Sequence, residues 1–127
     1  MANINIKPGI KGREEIVVSE EDTATKYGSG LVKVFATPAM IALMEKTCFR
    51  SVLPFLLDGM GTVGTAVNIV HLKASPVGAK IICESDLIEF DGKKLSFFIV
   101  VRDEKDEIGR GTHDRFIIDV NKFMSKL

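Results

Sequence analysis

The sequence carries no excess charge, because seventeen basic side chains are matched by seventeen acidic ones. An electropositive face for nucleic acid is therefore not implied, and no nucleic-acid partner is expected. Only two cysteines occur, Cys48 and Cys83. With no C-x-x-C pair and no Cys/His cluster, a metal site is not expected, and both read as reduced thiols in a core. No apolar run approaches the length of a membrane span, and the opening MANINIKPGIKG lacks the apolar stretch of a signal peptide. Repeats and low-complexity segments are missing as well. These absences leave the expectation of one soluble, cytoplasmic domain over residues 1–127, with residues 1–12 as a loose polar arm. A chain of 127 residues can bury a sizeable core without staples.

The stretch around which the rest is organised is Phe35 to Pro54, FATPAMIALMEKTCFRSVLP. Thr37 before Pro38 signals a helix start. A Thr oxygen can accept from the first free N–H groups, and Pro tolerates the first helical position. Ala39 to Met44 are consecutive apolar residues, followed by Thr47, Cys48, Phe49, Val52 and Leu53. A helix apolar nearly all round is a buried one. Glu45 stands in its middle, and the residues three and four away, Ile41, Ala42, Cys48 and Phe49, offer it no cation. Such a carboxylate reaches solvent past the helix edge, pairs with a structural Arg, or belongs to a functional site.

Along the chain, Glu14 to Val18 reads as a short strand. Ser19 and Asp22 form a helix-start box, and Gly28 and Gly30 end a helix of one or two turns. Leu31 to Phe35 is either a flap beside the helix start or an ordinary connection with Tyr27 packed against it. After Pro54 and the DGMG turn, Thr62 to Leu72 alternates as a long strand. Strict alternation puts Val63, Thr65, Val67, Ile69 and His71 on one face, and Gly64, Ala66, Asn68, Val70 and Leu72 on the other. Ala79 to Phe90, Lys94 to Arg102 and Ile108 to Val120 follow, with Asp91-Gly92 as a hairpin signal and DEKDE as a solvated turn. The expected fold is α+β, with four consecutive hairpin-linked antiparallel strands curling around one buried helix. Strands this apolar are expected to pair an edge with a second copy.

Three segments carry a family resemblance. These are VFATPAMIALME (Val34 to Glu45), TVGTAVNIVHLKASPVG (Thr62 to Gly78) and DEIGRGTHDRFII (Asp106 to Ile118). In this order they resemble the hotdog-fold acyl-CoA thioesterases, and among them the fluoroacetyl-CoA thioesterase-like group. The resemblance implies a homodimer with active sites at the subunit interface, no metal, and no cofactor beyond the CoA of the substrate. It implies Thr37, Glu45 and His71 as catalytic residues, with Gly64 and Arg115 meeting the acyl-thioester. Where that family carries a Phe-rich lid, this chain reads TKYGSGLVKV, with Tyr27 and Leu31 but no Phe before Phe35. Fluoroacetyl selectivity therefore does not follow from the resemblance, and a short-chain or otherwise unassigned acyl-CoA is the expected substrate class.

The residue types suit thioester hydrolysis. His71 is the side chain closest to neutral titration. Glu45 can orient it, activate water or attack directly, and Thr37 offers a hydroxyl at a helix N-terminus. Gly64 lets a carbonyl approach a strand closely. Eight residues of helix rise about 12 Å, so Thr37 and Glu45 cannot touch along one straight helix. Either the chain curls back before the helix, or two subunits share the site, or Thr37 is mainly a cap. His113 reads as a structural hydrogen-bonder beside Arg115. Arg115 itself reads as a ligand for CoA phosphates or amides, or as the partner of Glu45. The competing expectations are a non-catalytic acyl-CoA binding module and a hotdog hydratase or dehydratase.

Overall fold

The computed structural model describes residues 5–127, in which one long helix lies against a five-stranded antiparallel sheet. The strands are β1 (Lys11–Val17), β2 (Met60–His71), β3 (Lys80–Phe90), β4 (Lys94–Arg102) and β5 (Glu107–Asp119). The helices are α1 (Ala24–Tyr27), α2 (Thr37–Val52) and α3 (Val120–Ser125). No helix among the described residues is long and apolar enough to cross a membrane.

Helix α2 forms because its apolar residues fall at helical spacing. Ala39, Met40, Leu43, Met44, Thr47, Cys48 and Val52 are all buried on one stripe. Each large one contributes about 1.5–3 kcal/mol by leaving water. The stripe meets Ile81, Cys83, Leu87, Leu95, Phe97, Ile99 and Val101 from the sheet. The expectation of a helix buried nearly all round is not met. Pro38, Ala42, Lys46 and Arg50 are exposed, and Glu45 is half-buried.

The strand order is β1-β3-β4-β5-β2. The expected hairpins from β3 through β5 are present, but β2 and β3 do not pair. Instead β2 crosses to the far side of β5, and β1 takes the free edge of β3. The close fit of β2 on β5 needs Gly111, where an added Cβ would lie 2.6 Å from Ile69 Cα.

The arm expected over residues 1–12 is shorter. Residues 1–4 lie outside the described residues, Ile6 is buried in the core, and β1 starts at Lys11. Backbone bonds from Gly9 to Leu87 (2.7 Å) and from Leu87 to Ile10 (2.9 Å) extend the pairing before it. Helix α3, capped by the Asp119 carboxylate accepting from Lys122 N (3.1 Å), takes the place of the expected end of β5.

One irregularity decides the site. Gly64 is opposite Arg115 and Ala66 opposite Asp114, so Thr65 is an extra residue on β2. Opposed residues on paired strands point to the same face. The inner face of β2 is therefore Thr62 and Gly64, then Val67, Ile69 and His71, opposite Ile117, Arg115, His113, Gly111 and Gly109. Strict alternation separates Gly64 from His71. The bulge puts them on one side.

Candidate active site

Thr37 is the first residue of α2, with Ala36 in the capping position. Of the readings open for Thr37, that of a helix cap is not met, since Ala36 holds the capping position. The Thr37 hydroxyl turns to His71, Oγ1 to Nδ1, at 2.8 Å. This pair joins the start of α2 to the end of β2. Phe35, fully buried just before the helix, meets the His71 ring edge-on with centroids 6.3 Å apart. Burial lowers the His71 pKa from its ordinary value, while the Lys73 backbone pulls it up more weakly. His71 is therefore a neutral imidazole at pH 7. Its Nε2 is buried without a hydrogen-bond partner among the described residues.

The pair lies in the wall of a cleft of about 360 Å3, lined also by Ala24, Ser29, Val34, Leu72 and Lys73. Tyr27, 47% exposed, and Leu31, 98% exposed, precede it in the chain. Lys73 Nζ fixes the opposite rim by donating to Asp103 Oδ2 and Asp106 Oδ2, both at 2.7 Å. That ion pair, aided by the Asp106 and Lys105 N–H groups, lowers the Asp103 pKa to about 2. The DEKDE turn, expected to be merely solvated, is thus tied to the segment that follows His71.

The remaining site residues gather elsewhere in the chain. Arg115 is buried on β5 and donates Nε to Thr62 Oγ1 (2.7 Å), Nη2 to Thr62 O (2.9 Å) and Nη1 to His113 Nε2 (3.1 Å). Its guanidinium carbon sits 5.7 Å from the centroid of Phe49 on α2. Glu45, Phe49 and Arg115 line a second recess, of about 240 Å3. Burial lowers the Arg115 pKa and the Glu45 charge opposes that shift. Glu45 makes no ion pair with it. Gly64 completes the group, since an added Cβ there would lie 3.3 Å from Arg115 Nη1 and 3.0 Å from His113 Cε1.

The structure therefore brings Thr37 to His71, and Gly64 to Arg115 with Glu45 nearby. It keeps the two groups apart within one chain. Along β2, the seven steps from Gly64 to His71 span about 23 Å. Thr62 and Phe49, which fix Arg115, were not marked by sequence reasoning. The H-D-R spacing does place His113 and Arg115 on one strand face, and it is the only sequence signal for their contact.

A five-stranded antiparallel sheet packed against one long helix is the fold of the hotdog thioesterases. Solved structures agree on the class. A Thermus thermophilus member of the thioesterase superfamily matches with a TM-score of 0.89 and 25% identity over 97% of this chain and 91% of its own. The fluoroacetyl-CoA thioesterase FlK matches with a TM-score of 0.91 and 34% identity over 96% and 95%. The fluoroacetyl-CoA thioesterase of Streptantibioticus cattleyicolor is 40% identical over 95 residues, which make up 75% of this chain and 68% of that protein. Residues 18–121 match the family described as FlK, fluoroacetyl-CoA-specific thioesterase. The chain belongs to that family.

Proposed function

We propose that the chain hydrolyses short-chain acyl-CoA thioesters to CoA and a carboxylic acid. The observation that carries this reading is the 2.8 Å contact between Thr37 Oγ1 and His71 Nδ1 in the wall of a cleft. It is a nucleophile within reach of a neutral base. Thr37 Oγ1 attacks the thioester carbonyl as its proton passes to Nδ1. The C–S bond breaks, and the CoA sulfur leaves with that proton. Water then attacks the acyl-threonine ester, and Nδ1 takes the water's proton and returns it to Oγ1.

While Nδ1 accepts from Thr37, Nε2 carries the hydrogen of the neutral ring, and it is buried with no acceptor among the described residues. A carboxylate there would orient the ring and stabilise the imidazolium. We assign that role to Glu45 of the partner subunit in a homodimer formed through β2. In support, β2 is a sheet edge whose twelve residues include no Lys, Arg, Asp or Glu, and Gly64 to Asn68 are exposed. The other edge, β1, is guarded by Lys11, Arg13, Glu14 and Glu15. Along β2 and α2 alike, the Thr37–His71 end is opposite in direction to the Gly64–Glu45 end. A twofold axis near the middle of β2 therefore sets one subunit's Thr37 and His71 beside Glu45, Gly64 and Arg115 of the partner subunit.

The substrate class follows from the small cleft and from the named substrate of the relatives. With Tyr27 and Leu31 on the flap instead of phenylalanines, we expect turnover of short acyl groups without marked preference for fluoroacetyl. The buried free thiols Cys48 and Cys83 suit a reducing compartment, and we place the protein in the cytoplasm. Thiol release measured across acetyl-, fluoroacetyl-, branched short-chain and aryl-CoA is the test. Turnover of a short acyl-CoA, lost in Glu45→Gln and in His71→Ala while both stay folded, is the expected result. Release at the parental rate in both variants would refute the assigned roles, and no release from any thioester would refute the activity.

A further inference from the structure

We propose that His113 is a positioning residue, locked as one neutral tautomer between the Ala66 carbonyl and Arg115, which holds the guanidinium in line with the opening at Gly64. This rests on the thioesterase reading, in which Arg115 meets an acceptor oxygen of the acyl-CoA.

The lock follows from hydrogen-bond chemistry alone. His113 Nδ1 is 2.8 Å from the Ala66 carbonyl oxygen, which can only accept, so Nδ1 carries the hydrogen and donates. His113 Nε2 is 3.1 Å from Arg115 Nη1, which can only donate, so Nε2 is a bare lone pair. No other tautomer satisfies both contacts. Protonation would set two donors and two cations face to face.

The groups that face His113 reinforce the neutral state. Its own strand presents Arg115 and Asp114, α2 presents Glu45, β4 stacks Phe97 at 6.4 Å between centroids, and β2 presents the Ala66 carbonyl. Burial lowers the His113 pKa from the ordinary 6.5 and the Arg115 charge lowers it further, against opposing pulls from Ala66, Glu45 and Asp114. Ala66 is the residue just after the bulge, so the irregularity in β2 also supplies the carbonyl that sets the tautomer.

The lock aims Arg115. A guanidinium has five N–H donors, and Thr62 and His113 take three. The other two, one on each Nη, have no acceptor among the described residues, although Arg115 is only 7% exposed. A buried charge-bearing fork with two free donors is held for an oxygen that arrives from outside. Gly64 leaves the approach to Nη1 open, since any Cβ there would stand 3.3 Å from it.

Two polar substitutions separate aiming from structural support. His113→Gln places an amide oxygen near the position of Nε2 and keeps an acceptor for Arg115. His113→Asn keeps a donor near Nδ1 for Ala66 and removes that acceptor. If His113 positions Arg115, Asn lowers kcat/KM by about 10- to 100-fold, mostly as a rise in KM, and Gln recovers most of the loss. Equal kinetic losses in the two variants, or a fall in kcat alone that tracks the unfolded fraction, would overturn the proposal. The tautomer is read separately from activity by two-bond 15N–1H correlation of the histidine ring. The expected result is a neutral Nδ1–H ring at pH 7 that stays neutral below pH 6.5, with the preference lost in Arg115→Gln. An Nε2–H or doubly protonated ring at pH 7 would overturn the lock even in a protein that hydrolyses no thioester. Failure of the wild-type protein to turn over any acyl-CoA would sink the thioesterase reading and leave the tautomer result to decide the lock.

Discussion

Mixing two inactive variants should restore activity. Within one chain, Thr37 and Glu45 are separated by eight helical residues, or about 12 Å, and only Thr37 touches His71. If the partner subunit supplies Glu45, a heterodimer of His71→Ala and Glu45→Gln chains has one site carrying both lesions and one carrying neither. Equal mixing with free subunit exchange makes half the dimers hybrid, and each hybrid has one of two sites intact. The mixture should reach roughly a quarter of wild-type turnover from two parents that each have almost none. Thr37→Ala mixed with His71→Ala supplies the control. Those residues come from the same chain, so each hybrid site keeps one lesion and no activity returns. The assay is thiol release after exchange, with hybrid formation followed by native mass spectrometry on chains of different mass. If hybrids form and the first mixture stays inactive, the shared site is wrong. Recovery in the control mixture would mean that Thr37 and His71 do not act in one site.

Acid should weaken both activity and stability through the two histidines. The pKa of each is lowered on folding from the ordinary 6.5. The unfolded chain therefore takes up protons first as pH falls, so their contribution is intact above about pH 6.5 and is lost as pH drops through the folded values. The acid limb of kcat/KM should lie below pH 6.5, and the melting temperature should decline over the same range in a calorimetric scan. An acid limb above 6.5 would contradict a desolvated His71. Thr62→Val should cost about 1–3 kcal/mol in chemical denaturation, since it strands the buried Arg115 Nε that donates at 2.7 Å. A neutral effect would mean that water or a relaxed backbone takes the place of the hydroxyl.

Much of the fold was legible in the sequence because it rests on periodicity. The long helix at α2, the Asp91-Gly92 hairpin and the span of β4 all follow from local pattern, and β4 falls on the expected residues, but the burial of α2 on one stripe only was not expected. The order of strands was not legible. Whether β2 folds back on β3 or crosses to β5 depends on which edge β1 occupies, and no residue of β2 encodes that. The candidate site residues were chosen by residue type and by resemblance. Their grouping was not legible. Sequence gave no sign that Thr37 turns from its helix to His71, since capping and hydrogen bonding across the fold draw on the same hydroxyl. The bulge was hidden as well, because Thr65 fits a regular strand as well as an irregular one.

Thr65 makes parity a design variable in this protein. In an unbroken strand, two side chains share a side only when an even number of steps separates them. Gly64 and His71 are seven steps apart, so no regular strand could turn both to the inner face of the sheet. One inserted residue converts odd to even. A shortened variant without Thr65 would keep every residue named in the chemistry and still invert one end of β2 against the other. Searches for such sites by spacing alone will miss every pair whose separation has been corrected in this way.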